Sequence, residues 1–485
     1  MPFAFPMRRP SFLIALAALA LGACTTTGLK DAEAIFDRPD LMGLRWSIHV
    51  TTLDGKTVLE RRADERFTPA SNTKIVTTAA VFDMFGDLSN PDELMRTTLA
   101  LEPGADGAPP DIILVGGGDP AFSDEPDCEA RCLSALVDEV VALGLTEVGN
   151  VIGDATVFPE ERWGPGWTWD DFGWGYGAPV SGLMVDENRI GLTVFPPASD
   201  LDGARVQWDP GDDLFPIVVD IGVGDGDAYD IASSGAFEDG DFRLYGRMPV
   251  GTEPDDLSLA VDRPAHAAAT RLKRRLDAAG VVVSGEVLTR TRKPGIDRQA
   301  PETATTIAAT EPPVLIDLAT RVMKDSSNVT AEALLRRLAL EGGSGSSEEG
   351  LERVDETLQR AGANPLGHAI ADGSGMSIYN RLSPRALTTL LVWASDQSWF
   401  EAFYETFPIG GVDGSLRRRF VGTPLQGRIH AKTGTLRGVN ALSGYMIAES
   451  GQTLVFSILA NDRPLSDSTA IDEIDAALVA IAKAN

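Results

Sequence analysis

Ser71-Asn72-Thr73-Lys74 sets a hydroxyl and an amine three residues apart. On a helix such positions share a face, so the Lys74 amine can reach the Ser71 hydroxyl. A serine hydroxyl is a weak nucleophile until a base takes its proton. Lysine can be that base once burial or a nearby cation lowers its pKa. A helix start also offers free N–H groups that could hold an oxyanion. Ser326-Ser327-Asn328 follows, just after Lys324. Ser326 could relay a proton to a leaving amine, and Asn328 could hold a substrate amide or the lysine amine. Lys432-Thr433-Gly434 comes later still. Its cation and hydroxyl could grip a terminal carboxylate, and Gly434 would leave room for a substrate backbone along a strand edge. Taken singly, each motif also reads as something ordinary: a helix start, a helix cap, an exposed strand lysine.

The surrounding pattern supplies elements to carry them. Residues 45–62 alternate around Asp54-Gly55 and predict a hairpin. Ile75, Val76, Ala79, Ala80 and Phe82 predict a buried helix from about Ser71. The run 113–120 predicts a buried strand ending in a glycine-rich turn. Residues 189–260 read as a small β-rich module, and 264–280 as an amphipathic helix. Residues 294–312 read as a linker, because they lack periodicity and are rich in Pro, Thr and Ala. The chain then turns helical, and Lys432 falls in the first of three strand-like runs that precede a C-terminal helix at about 468–483. Trp163, Trp167, Trp169 and Trp174 crowd one aromatic, glycine-rich stretch. It reads either as a sugar or peptide platform or as a loop packed onto a domain.

The chain has 485 residues and a formal net charge of −29, which disfavours nucleic acid as a partner. Its composition is that of a globular protein, long enough for several cores. Arg8 and Arg9 precede an apolar run at 12–21 that is too short to span a membrane. Leu21-Gly22-Ala23-Cys24 resembles a bacterial lipobox, in which Cys24 would be lipidated; an ordinary signal peptide cut near Ala23 is the alternative. Thr25, where an Asp would retain a lipoprotein in the inner membrane, favours the outer membrane. The expected location is the periplasm, with a lipid anchor. Cys128 and Cys132 remain as a possible disulfide; two helical positions four apart lie near the upper limit of disulfide spacing. His49, His266, His368 and His430 are scattered and form no zinc-peptidase motif.

The ordered set of S-x-x-K opening an apolar helix, S-x-N in a helical region and K-T-G on a strand resembles the penicillin-binding proteins and β-lactamases. The long interval between the first two motifs implies inserted domains. With TPASNTK, GGGDP, GNVIGDATVF, PGWTWDD, ADGSGMSIYNRLSP, GVDGSL and HAKTGTLRGV, the chain resembles the D-alanyl-D-alanine carboxypeptidase/endopeptidase family, the class C low-molecular-mass penicillin-binding proteins. The resemblance implies an α/β (α+β) fold: a serine β-lactamase/transpeptidase-like domain with inserted smaller β-rich domains. Expected boundaries are 1–24 for the signal and lipobox, and 25–95 with 305–485 for the catalytic domain. A first insert is expected at 96–188 with 255–304, and a second at 189–254.

It implies a penicillin-sensitive serine DD-peptidase. Ser71 attacks the carbonyl of the penultimate D-alanine with Lys74 as base, while Ser326 and Lys432 pass the proton to the leaving amine. Asn328 positions substrate, Lys432 and Thr433 hold its carboxylate, and the Ser71 and Thr435 N–H groups form the oxyanion hole. Expected partners are peptidoglycan stem peptides and β-lactam antibiotics, with no cofactor and no metal. Asp154 matches a position near the substrate's side-chain amine in relatives; it also reads as a strand-end turn residue. Two departures stand out. Ile378 occupies a place where relatives often carry an Arg suited to a carboxylate, which questions a standard clamp on diaminopimelate or suggests an amidated or different stem. Ser327 replaces a frequent Asp. Asp413 and the Arg417–Arg419 run read as site-assisting or as a solvated basic face. The competing functions are a β-lactamase or esterase of the same fold, and a binding protein or sensor without turnover.

Overall fold

The computed structural model describes residues 29–199, 201–224, 229–234, 242–298, 303–463 and 470–485. The expected signal segment, lipobox and Cys24 lie outside the described residues. Among those described, no helix is long and apolar enough to cross a membrane.

A five-stranded antiparallel sheet forms the frame. Its order is Ile429–Leu436, Val439–Ile447, Thr453–Asn461, Arg45–Thr52 and Thr57–Arg61. The inner strands are buried on both faces, and their period of two sorts side chains between two cores. Ala441, Tyr445, Val455 and Leu459 face a helical layer. Leu442, Met446, Leu454, Phe456 and Ile458 face the C-terminal helix, Ala470–Ala484. The expected 45–62 hairpin and the three C-terminal strands are all present.

At the centre of the helical layer runs the helix Thr73–Phe85, whose residues 73–82 are all buried. A helix buried on every side has no solvent face, and its polar residues Lys74 and Thr77 must find partners inside the protein. Leu315–Lys324, Asn328–Arg337, Ser347–Arg360 and Pro384–Ser395 enclose it. The expected start near Ser71 resolves into a 3-10 turn, Ala70–Asn72, leading into that helix.

Two further cores lie in the segment between the first two motifs. One is a mixed sheet ordered Val287–Arg290, Val151–Asp154, Asp111–Val115, Thr98–Glu102 and Thr305–Ala309, packed against Leu133–Ala142 and Pro264–Ala278. The other is built from two three-stranded sheets. Strand pairing moves two expected boundaries. Asp255–Ala260 pairs with Arg189–Phe195 and so belongs to the β-rich module, in line with the 189–260 pattern and not with the expected boundary at 254. Thr305–Ala309 pairs with Thr98–Glu102, so the expected linker contains an edge strand of the first insert. Both strands are short, and their partners lie far away in sequence.

Cys128 and Cys132 are joined by a disulfide with a Cα–Cα separation of 5.7 Å. The helical spacing expected for them does not apply, because Cys132 is the extended residue before the Leu133–Ala142 helix. The Trp cluster mostly packs. Trp163 stacks on Phe172, Trp167 is buried, and Trp174 lies against the β-rich core, while Trp169 is exposed.

Phe82 is fully buried between Trp399 and Phe403, with ring centroids at 5.5 and 5.6 Å. Phe82→Ala should therefore lower stability by about 3–5 kcal/mol, read as a reduced urea midpoint.

Candidate active site

Ser71 sits in the 3-10 turn, directly after Ala70. Ala70 has a φ of +48°, a left-handed conformation unusual for a residue with a Cβ. Gly375 presses on this turn from outside; a Cβ there would lie 2.1 Å from the Ala70 carbonyl oxygen. One turn along the helix, the Lys74 amine reaches back to Ser71 Oγ at 3.0 Å. Its other neighbours are Asn328 Oδ1 at 2.6 Å and the Ser374 carbonyl at 2.5 Å. Lys74 is fully buried. Burial lowers its pKa to about 7, against an upward pull from Asp372 and Glu332. The carbonyl oxygen of Ser374 can only accept, and so can the amide oxygen of Asn328. A neutral Lys74 satisfies both with its two protons and turns its lone pair to the Ser71 hydroxyl.

Asn328 is the first residue of the Asn328–Arg337 helix, and its Nδ2 is tied to the Tyr176 carbonyl at 2.8 Å. Ser326 lies between two helices with a φ of +62°. Its hydroxyl accepts from Lys432 Nζ at 2.8 Å. Lys432 is fully buried, which drives its pKa well down, and the Lys74 charge adds to that. Thr433 Oγ1 meets Ser415 Oγ at 2.8 Å, bringing the GVDGSL stretch to the site. Ile429–Leu436 is an edge strand. Ala431 N–H points outward to the Pro408 carbonyl, so Thr433 and Thr435, two and four residues on, present their N–H groups along the same edge.

Two buried carboxylates organise the wall behind Lys74. Asp372 accepts from the Gly375 and Ser377 N–H groups, Asn380 Nδ2 and Trp167 Nε1. Glu332 Oε1 accepts from the Gly373 and Ser374 N–H groups, both at 2.9 Å, and Oε2 pairs with Arg336. Burial, then the Asp372 charge, raises the Glu332 pKa. These contacts aim the Ser374 carbonyl at Lys74.

A sequence model of the D-Ala-D-Ala carboxypeptidase 3 (S13) family matches residues 29–485. The chain belongs to that family. It is 31% identical over 468 residues to a D-alanyl-D-alanine carboxypeptidase of Actinomadura sp. (strain R39), covering 91% of this chain and 82% of the relative. In fold it is similar to penicillin binding protein 4 from Haemophilus influenzae, with a TM-score of 0.76, 24% identity, and coverage of 94% of this chain and 97% of that one. A second structure of that protein, complexed with a β-lactam, gives a TM-score of 0.72 at 21% identity and the same coverage. As a member of the S13 family the chain is a serine peptidase of the D-Ala-D-Ala carboxypeptidase type.

Of the residues singled out in this family member, Ser71, Lys74, Ser326, Asn328, Lys432, Thr433, Gly434 and Thr435 converge on one place. Gly434 acts differently from expectation. A Cβ there would lie 2.8 Å from the Pro69 carbonyl oxygen and 3.1 Å from Asn72 Nδ2, so its bareness serves the serine turn packed against the strand. Asn72 Nδ2 donates to the Lys432 carbonyl at 2.9 Å across that contact. Asp154 does not join the cluster through any of its side-chain hydrogen bonds. Its carboxylate is buried and closes the strand-end turn through Thr156 N and Oγ1, at 2.9 and 2.6 Å. Asp413 pairs with Lys324, and Arg419 with Asp475, so the basic run is only partly solvated. Sequence reasoning passed over Glu332, whose spacing from Arg336 reads as a surface pair. It also passed over Asp372 as a residue, although the stretch that holds it carried the family resemblance.

Gly434→Ala should separate the serine turn from the strand. Overpacking of this size costs about 1–3 kcal/mol. The expected result is a lower melting temperature with the Asn72–Lys432 contact lengthened in a structure of the variant.

Proposed function

We propose that this chain removes the terminal D-alanine from peptidoglycan stem peptides, or splits D-alanyl-diaminopimelate cross-links, through an acyl-enzyme on Ser71. The observation that carries this reading is the threefold grip on the Lys74 amine by Ser71, Asn328 and Ser374. Neutral Lys74 takes the Ser71 proton as Oγ bonds to the carbonyl carbon of the penultimate D-alanine. Charge gathers on the carbonyl oxygen, which the Ser71 and Thr435 N–H groups hold. The C–N bond then breaks as the proton taken up by Lys74 passes to the leaving amine through Ser326, whose hydroxyl Lys432 holds in place. Lys432 and Thr433 bind the terminal carboxylate. Water attacks the ester and frees Ser71. A β-lactam fits the same steps as a slowly released acyl donor; the β-lactam complex of the Haemophilus influenzae protein supports this.

Ile378 is exposed beside Tyr379, with its backbone N–H on the Gly166 carbonyl. An apolar side chain at this place supports a stem lacking a second free carboxylate there, such as an amidated one. The first 24 residues support a periplasmic enzyme held to the outer membrane by a lipid on Cys24.

The test is incubation of the protein and Ser71→Ala with purified cross-linked and uncross-linked muropeptides, with products followed by mass. Loss of one alanine, or splitting of dimers, is expected only with Ser71 present. Stable labelling of Ser71 by a fluorescent penicillin without any product would replace the hydrolase with a sensor.

Acylation should also depend on pH through Lys74. Its pKa of about 7 leaves the amine free above that pH and protonated below it. On the acid side the acylation rate should therefore fall about tenfold per pH unit, in stopped-flow penicillin kinetics.

A further inference from the structure

Asp186, Glu187 and Asn188 are three consecutive non-glycine residues with φ of +51°, +54° and +56°. Such a run is costly for L-residues and persists only where its surroundings impose it. Here the surroundings are specific. Asp186 N–H is bonded to the Phe122 carbonyl, Asn188 Nδ2 to the Pro179 carbonyl, and the Asn188 carbonyl to Val261 N–H. The run turns the Glu187 side chain into the back of the Ser326–Asn328 segment.

The Glu187 carboxylate is buried. Its Oε1 accepts from Ser327 Oγ and Thr330 Oγ1, both at 2.5 Å, and pairs with Arg321 Nε at 3.1 Å. Its Oε2 pairs with Arg189 at 2.5 Å. Ser327 is the cap of the Asn328–Arg337 helix and also accepts from Thr330 N–H at 3.1 Å. Ser326 and Asn328 flank Ser327, and their side chains reach Lys432 and Lys74 on the opposite side. Rotation of this segment about Ser327 would move both groups together.

We infer that Glu187 is a positioning residue for the reaction: it anchors Ser327 and Thr330 from behind and so fixes where Ser326 and Asn328 meet the two lysines. The strained turn belongs to the stretch between the first two motifs, which ties that stretch directly to the chemistry. The inference rests on the reading of Ser71 as the acylated residue.

The experiment measures the rate and final extent of fluorescent-penicillin acylation for the unmodified protein, Glu187→Ala, Ser327→Ala and the double variant. Glu187→Ala should acylate about tenfold more slowly or worse while still labelling to completion, since small misplacements at a reacting centre cost this much. The double variant should be no slower than the slower single one, because both cut the same link. A purely structural role would lower the melting temperature and the labelled fraction but leave the rate of the folded protein intact. A Glu187→Ala rate within about fivefold of the unmodified protein, or effects that multiply in the double variant, would overturn the inference. If Glu187→Ala does not fold, Ser327→Ala combined with Thr330→Val cuts the same bonds from the helix side and is judged by the same rate threshold. An unmodified protein that takes no label would defeat the acyl-enzyme reading itself, and this inference with it.

Discussion

A lysine amine taken wholly out of water must find partners, and Lys74 finds them on three separate pieces of chain. Ser71 lies on the same turn, Asn328 opens a helix, and Ser374 lies in a loop. A buried ammonium without acceptors would be prohibitive, and a buried amine among carboxylates alone would stay charged. The partners that touch it are neutral oxygens, while Glu332 and Asp372 remain one step behind. That balance leaves an amine able to exchange a proton near neutrality. It also requires the helices of residues 73–85 and 328–337 and the 372–380 loop to converge within hydrogen-bond reach.

Convergence at this density has consequences for the backbone. Ala70 and Ser326 adopt left-handed conformations, and Gly375 and Gly434 stand where a Cβ would collide with the serine turn. Strain at reacting residues persists when surrounding bonds over-determine it. Here Asp372 holds four donors of its own loop and neighbours, Glu332 holds two backbone N–H groups, and Asn72 ties the turn to the edge strand. The sheet contributes an open edge beside these groups. Pro408 closes the outer side of that edge at Ala431, and Thr433 and Thr435 continue it toward Ser71.

Much of this was legible beforehand, for local reasons. The inner strands are short, mostly apolar runs, and Ile75, Val76, Ala79, Ala80 and Phe82 crowd the Thr73–Phe85 helix, so both announce burial. The three motifs name a nucleophile, a base and a carboxylate grip by residue type. Other features depend on partners far along the chain. Thr305–Ala309 looks like linker until Thr98–Glu102 pairs with it. Glu332 looks like half of a surface pair until the 373–374 backbone arrives. Asp154 could serve a substrate or a turn, and its bonds to Thr156 serve the turn. Gly434 suggested space for substrate, but the space is filled by Pro69 and Asn72.

The sequence by itself determined which reactive groups exist, their order, the elements that carry them and the family they belong to, because residue type and periodicity act between near neighbours in the chain. Only the tertiary structure decided that Lys74 is poised near neutrality, that the backbone at Ala70 and Ser326 is held under strain, and that Glu187 braces the S-x-N segment from behind. Proton affinity, strain and hydrogen-bond partnership are set by neighbours in space. Those neighbours lie far away in the chain, 300 residues for Lys74 and Ser374 and 360 for Asn72 and Lys432.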